Sequence, residues 1–367
     1  MESIDVVVIG GGVTGLAAAA AVARTGAGVC VLERHPQAGM DTSTHNSGVI
    51  HAGIYHPAGS LRARLCVEGA RLLYAFCSRH GIPHARCGKL IVAIDEAEAD
   101  ALPALLARGR ANGVEGLSLV DRDFVRRREP QVGGIAALLS EASGIVEPET
   151  LVHTLARVCR EAGAIVLPGT SLVASETNAD GIVLRTERES IHARVVVNAA
   201  GLYADRVSDA LGGERFAIHP CRGEYAELAP SRRGLVNALV YPVPPASGHG
   251  LGVHLTKTTG GAVLIGPTIA HQDSRDDYER GRLPVEAFLE PTRRLLPAVT
   301  LADLRLGGSG IRPNPNRPDE HFADFRICRD AANPRIVQAA GMTSPGLTAC
   351  LAVGNLVQQL VTEALAD

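Results

Sequence analysis

Residues Asp5 to Arg34 read DVVVIGGGVTGLAAAAAVARTGAGVCVLER. The order of residue types in this stretch decides the fold. Val6 to Ile9 is a short run of apolar, β-branched residues, and Gly10, Gly12 and Gly15 then give G-x-G-x-x-G as an Ala-rich segment opens. The pattern predicts strand, tight turn, helix. A turn this tight needs residues without Cβ, and a phosphate reaches the N–H groups of a helix N-terminus only where the backbone is bare. Gly15 and the alanines after it let the helix lie close on a sheet. Gly26 stops the helix, and residues 29–32 predict the next strand. Glu33 stands at its end, where a carboxylate holds the two hydroxyls of an adenosine ribose and repels a 2′-phosphate.

At 367 residues the chain has room for two domains around sizeable cores. Its formal net charge of −3 gives no electrostatic footprint for nucleic acid. The eight cysteines are scattered without a C-x-x-C pair, which predicts a reducing compartment and no metal site. No basic segment precedes the first apolar run, and glycines interrupt that run, so no signal peptide is expected. No stretch of about 20 apolar residues is free of charges and turn residues, so no membrane span is expected either. The expected location is cytoplasmic, free or peripheral to a membrane.

Beyond Glu33, residues 34–47 form a loop rich in hydroxyl, His and Asn side chains, fit to line a cofactor or simply to be a polar loop. Residues 61–80 have helical spacing and end at Gly81 and Pro83. Residues 89–94 predict a strand and 96–111 a helix, with Arg126 to Arg128 at a solvated helix end. A helix over 148–159 is followed by strands over 165–167, 182–185 and 195–197. The last of these runs into Asn198-Ala199-Ala200-Gly201, the small-residue edge where a sheet meets a ligand. Residues 218–266 alternate as an antiparallel sheet and a candidate substrate wall, with turn signals between the runs. A proline-rich loop follows Arg312-Pro313, and the chain closes with a strand over 336–340, a turn over 341–346 and a helix over 347–365. The return of glycine-rich sheet edges at Gly201 and Gly341 predicts two interleaved domains. Residues 1–83, 144–215 and 314–367 are expected to build the nucleotide domain, and 84–143 and 216–313 the substrate domain.

HNSGVIHAG (residues 45–53), GSLRARLC (59–66), RGEY (222–225), LGVHLT (251–256), GIRP (310–313) and SPGLTA (344–349), together with the N-terminal fingerprint, resemble the D-amino acid oxidase-like superfamily of FAD-dependent oxidoreductases. Within it, the likeness is greatest to the L-2-hydroxyglutarate dehydrogenases. The resemblance implies an α/β architecture: a Rossmann-like FAD domain interleaved with an α+β substrate domain. It implies FAD at Gly10, Gly12, Gly15, Glu33 and Arg34, with Thr44, His45, Asn46 and Ser47 near the flavin and pyrophosphate. It also implies contacts from Val173, Ala200 and Gly201, and from Gly341, Gly346, Leu347 and Thr348 near the ring. Arg312 of the G-x-R-P motif inherits the pairing with a substrate carboxylate, for which a planar guanidinium is well shaped. The chain departs from the family at His56 and Ala226, where a second tyrosine is usual. That leaves open which 2-hydroxy or 2-amino acid it takes.

Oxidising a 2-hydroxy acid needs hydride transfer from the α-carbon to the flavin N5 and removal of the hydroxyl proton. His51 and His254, both inside specific motifs, are the candidate bases, with His254 ranked slightly first because it lies on the expected substrate wall. Tyr225 is a candidate hydrogen-bond partner. Lys89, Arg222 and Lys257 could meet a distal carboxylate or be solvated charges. The expected acceptor is something other than oxygen that the sequence does not name, with a membrane quinone pool and an electron-transfer protein as candidates. The alternatives are an amine or amino acid oxidase releasing hydrogen peroxide, and a flavin-bearing protein without turnover.

Overall fold

The computed structural model describes residues 2–244, 252–317, 319–320 and 322–367; Leu251 of the LGVHLT segment lies outside them. The first sheet runs in the order Leu172–Thr177, Ile182–Thr186, Ser190–Asn198, Glu2–Ile9, Val29–Glu33, Ile165–Pro168. Glu2–Ile9 is parallel to both neighbours, with Ile9 opposite Asn198 and Leu32, so three strand ends share one edge. Ile336–Ala340 joins parallel against Ser190–Asn198, and Arg326–Arg329 flanks it antiparallel. Val6, Val7 and Val8 are fully buried, as an apolar run covered on both faces should be.

Four helices pack around this sheet: α1 (Val13–Ala23), α2 (Leu61–His80), α3 (Pro148–Glu161) and α4 (Gly346–Ala366). Small residues allow the close approach. A Cβ on Gly354 of α4 would meet the Ala17 carbonyl oxygen of α1 at 2.7 Å, and one on Gly69 of α2 would meet Ala349 Cα at 2.7 Å. By length and composition alone α4 would suffice to cross a membrane. In the fold it is a core helix, with Ala349, Cys350, Val353 and Val357 fully buried against α1 and α2.

The second sheet runs Ala270–His271, His219–Leu228, Val263–Gly266, His254–Lys257, Leu239–Pro242, Lys89–Ala93, Ala136–Ser140, Leu117–Asp121, and Leu304–Asn314 pairs along His219–Leu228. It was expected to be antiparallel, and one pairing is not: Leu239–Pro242 lies parallel to Lys89–Ala93. The long excursion between them returns to the same sheet, and Lys89–Ala93 ends up buried along its whole length. Leu304–Asn314 was not read as a strand. Its Pro313 sits opposite Pro220, where neither residue has an N–H to offer the ladder. A small sheet of Val49–Ile50, Gly144–Val146 and His84–Ala85 carries the HNSGVIHAG segment between the two large ones.

Candidate active site

One cavity of about 1100 Å³ runs from the edge of the first sheet to the face of the second. At its first end it is walled by backbone. Gly10 has φ +111°, and a Cβ there would drive into the Ala199 carbonyl oxygen; on Gly12 it would meet Ser43 Oγ at 2.8 Å. Gly15 does not line the cavity: its missing Cβ makes room for the Gly10 carbonyl oxygen, which lets α1 start immediately after the turn. The α1 N-terminus has no side-chain cap and no acidic residue in its first turn. Ser43 Oγ accepts the Val13 N–H at 3.1 Å, and the dipole and the next N–H groups remain open to an anion.

Glu33 is 6% exposed. One of its oxygens accepts from Gly11 N–H and the other from His35 N–H, both at 2.7 Å. A carboxylate has about four acceptor sites, so two remain for ribose hydroxyls. Arg34 donates to Asp41 at 2.9 Å and lies 4.0 Å over the Tyr203 ring. The loop that follows is pinned by its own side chains: Asn46 Nδ2 donates to the Ser43 carbonyl at 2.8 Å, and Thr42 Oγ1 donates to the Ile311 carbonyl at 2.7 Å.

His45, Asn46, Ser47, Ala200 and Gly201 line the cavity. Thr44 does not, because its hydroxyl donates to the Gly39 carbonyl at 2.7 Å; its neighbour Ser43, which sequence reading passed over, lines the cavity and accepts from Val13 N–H at 3.1 Å. Val173 is 61% exposed and points away. Thr170, Ser171 and Leu172 form the wall there instead.

The uncapped N-terminus of α4 also faces the cavity through Gly346 and Leu347. Thr348 is fully buried behind them, its hydroxyl accepting from His51 N–H at 3.0 Å and donating to the Val49 carbonyl at 3.2 Å. Gly341, with φ +68°, packs on Pro315 outside the lining. Two open helix N-termini and a glycine cradle in one elongated cavity fit a dinucleotide whose far end also carries negative charge. The residues present therefore suit FAD.

The other end is walled by side chains. His51, His254, Tyr225 and Arg312 all line it, although more than 200 residues separate the first from the last. Arg312 Nη1 lies 3.9 Å from Cys221 Sγ, and no carboxylate among the described residues is within ion-pair reach of it. His254 stacks on Tyr241, ring centroids 3.6 Å apart. Lys89 Nζ sits 4.0 Å from the centre of that same Tyr241 ring. Lys89 is 1% exposed, and burial pushes its pKa down to about 7.

Burial, followed by the nearby charge of Lys89, holds His51 well below the ordinary histidine range. His51 is thus neutral at working pH, with Nε2 3.4 Å from Ser344 Oγ. His56 is likewise pushed down, to about 4, by burial and then by Arg62. None of the three cations considered from sequence lines the cavity: Lys89 lies against Tyr241, which does, and the other two are engaged elsewhere. Arg222 pairs with Glu224 at 2.9 Å, and Lys257 donates to the Val236 carbonyl at 3.2 Å. The burial of Lys89 had no signal in its own neighbourhood, because a lysine opening a strand reads as a surface charge until the flanking strands are in place.

Comparison with known proteins gives the site its chemistry. Residues 5–360 match the family described as DAO, FAD dependent oxidoreductase. The chain is 33% identical over 414 residues to the mitochondrial L-2-hydroxyglutarate dehydrogenase of Bos taurus, spanning 99% of this chain and 89% of that one. It is 30% identical over 400 residues to the L-2-hydroxyglutarate dehydrogenase of Escherichia coli strain K12, spanning 99% and 94%. Relatives thus occur in mitochondria as well as in bacteria. Among solved structures, dithionite-reduced L-alpha-glycerophosphate oxidase from Mycoplasma pneumoniae with FAD bound has a TM-score of 0.90 at 27% identity, covering 99% of this chain and 95% of that one. Glycine oxidase from Geobacillus kaustophilus, at 23% identity, shares the fold with a TM-score of 0.84 and covers 99% and 95%. The family match spans both large sheets and every segment that lines the cavity, so the chain belongs to the FAD dependent oxidoreductase family, and FAD is its cofactor.

Proposed function

We propose that this chain oxidises a small 2-hydroxy acid of the L-2-hydroxyglutarate type to the 2-oxo acid. The observation that carries the reading is the pairing of an open guanidinium, Arg312, with a neutral, half-buried imidazole, His51, in the cavity that suits FAD. The likeness to L-2-hydroxyglutarate dehydrogenases over nearly the whole chain supports the substrate class. We assign residues 1–83, 144–215 and 314–367 to the FAD domain and 84–143 and 216–313 to the substrate domain. The membership of the strands in the two sheets supports that division.

FAD, when bound, supplies the two-electron chemistry by accepting the hydride that leaves the α-carbon. In our reading Gly10, Gly12, Glu33, Ser43 and the α1 N-terminus hold its dinucleotide portion. Arg312 grips the α-carboxylate through parallel charge-assisted hydrogen bonds, which fix the α-carbon as well as bind it. His51 accepts the hydroxyl proton at Nε2. Its neutral state leaves the lone pair free, and a bound substrate carboxylate raises its affinity for the proton. His51 stands ahead of His254 here, the reverse of the order expected from sequence. Its backbone is tied to α4 through Thr348 and its ring meets Ser344, whereas the His254 ring is held flat on Tyr241. His254 and Tyr225 are then positioned to orient the substrate oxygens.

Anaerobic mixing of the purified holoenzyme with a panel of 2-hydroxy and 2-amino acids tests the reading. L-2-Hydroxyglutarate should bleach the flavin fastest. Bleaching by amino acids alone, with peroxide formed in air, would transfer the chain to the amino acid oxidases.

A further inference from the structure

Arg62 is the second residue of α2 and comes from the GSLRARLC segment, to which the mechanism above assigns nothing. It is 7% exposed, yet it lines the cavity. Its Nε and Nη2 are buried without a hydrogen-bond partner among the described residues. The neighbouring carboxylate, Asp324, is engaged elsewhere: it caps α2 by accepting from the backbone N–H groups of Leu61 and Arg62 at 2.6 and 2.9 Å. The guanidinium rests instead between Phe322 and Phe325, 5.2 and 5.4 Å from their ring centres. Burial lowers its pKa only to about 10, so it stays charged at neutral pH. The nearby charge of Asp324 offsets part of the cost, but a buried guanidinium whose N–H groups lack acceptors is still costly, and here it faces open space that a ligand can fill.

Its place in the cavity identifies the ligand. Arg62 is an electrostatic neighbour of His56, His56 of His51, and His51 of His254, which puts it at the substrate end rather than beside Gly10 and Glu33. Of the other arginines in the lining, Arg34 is paired with Asp41 and Arg317 with Asp319, while Arg108 and Arg206 are exposed. Arg312 and Arg62 are therefore the two sheltered guanidiniums in the cavity that make no direct ion pair with a carboxylate among the described residues. Two such groups at one site match a ligand with two anionic ends.

We propose that Arg62 receives the distal carboxylate of a dicarboxylate 2-hydroxy acid while Arg312 holds the α-carboxylate, so that Arg62 sets the preference for dicarboxylates over their monocarboxylate analogues. The inference rests on the 2-hydroxy acid reading of the site and deepens it.

Holoenzyme and its Arg62→Met, Arg62→Gln and Arg62→Lys variants are compared on L-2-hydroxyglutarate and on L-2-hydroxyvalerate, which replaces the distal carboxylate by a methyl group. Binding of the unreactive pair glutarate and valerate is followed by calorimetry. Arg62→Met and Arg62→Gln should lose about 100-fold in kcat/KM on the dicarboxylate and about 3-fold or less on the monocarboxylate. Glutarate affinity should fall by the same factor, Arg62→Lys should recover part of it, and FAD content should match the parent. The ligand-free Arg62→Met holoenzyme should melt no lower than the parent, because it loses an unpaired buried charge. Unchanged preference for the dicarboxylate in either neutral variant overturns the proposal. So does loss of FAD in step with activity, which would make Arg62 a cofactor contact. Arg62-dependent glutarate binding in a parent that oxidises neither acid would leave the subsite standing and remove the 2-hydroxy acid reading.

Discussion

The two ends of the cavity are built from different parts of the peptide. At the cofactor end the chain offers backbone: bare glycines, two uncapped helix N-termini and a carboxylate already held by N–H groups. At the other end it offers buried and half-buried ionisable side chains, with His51, His56 and Arg62 on the lining and Lys89 against Tyr241 all displaced from their ordinary titration by burial. Backbone recognition depends on shape and tolerates no added atoms. Side-chain recognition depends on charge, and it is carried at a cost to stability that ligand binding offsets.

The largest expected effect tests the shape argument. Gly10→Ala combines a left-handed φ with a Cβ directed into the Ala199 carbonyl. It should release FAD and destabilise the fold by about 3 kcal/mol or more. Gly26→Ala is the control: its φ is +93°, but no atom lies within 4 Å of the added Cβ. It should cost only about 1 kcal/mol and keep the cofactor. The FAD-to-protein ratio and the melting temperature decide between them. Equal cofactor loss in both variants would mean that strain, not the cradle, governs binding.

The next effect divides the charged end. Arg312→Ala should raise KM by about 100-fold with kcat less affected, because the grip on the carboxylate is present before and during the reaction. His51→Asn should lower kcat by about 100-fold while glutarate binding stays near the parent value. If His254→Asn lowers kcat as much and His51→Asn does not, the two histidines exchange roles.

The last effect concerns stability alone. Lys89 titrates near 7 in the folded chain against an ordinary 10.5. Between those values the unfolded chain holds a proton that the folded chain has released, so stability with Lys89 rises with pH across that window. Lys89→Met should therefore raise the melting temperature most at and below pH 7 and lose its advantage as pH approaches 10.5. A pH-independent difference would show that packing, not charge burial, distinguishes the variants.

Most of the scaffold was legible in the sequence. The strand, glycine turn and helix of the first residues, the helices at Leu61–His80 and Glu96–Ala111, and the closing strand and helix all follow from short-range periodicity and turn residues. What escaped notice was weakly patterned. Leu117–Asp121 is largely exposed at a sheet edge, and Leu304–Asn314 carries glycines and a proline that ordinarily mark loops. Thr44 and Val173 were expected at the cofactor from the family resemblance. The fold turns the first toward its own loop and the second toward solvent.

The sequence by itself determined the cofactor end, because a phosphate cradle is made by consecutive residues whose conformational demands are written in their types. At the other end the motifs named His51, His254, Tyr225 and Arg312, all of which line the cavity, and only the tertiary structure decided the electrostatics around them. There, burial and neighbouring charge displace His51, His56, Arg62 and Lys89 from their ordinary titration. A lone lysine, histidine or arginine carries no mark of whether it will meet water or be sealed beneath a tyrosine. Desolvation is a property of the assembled sheet and helices, not of any segment of the chain.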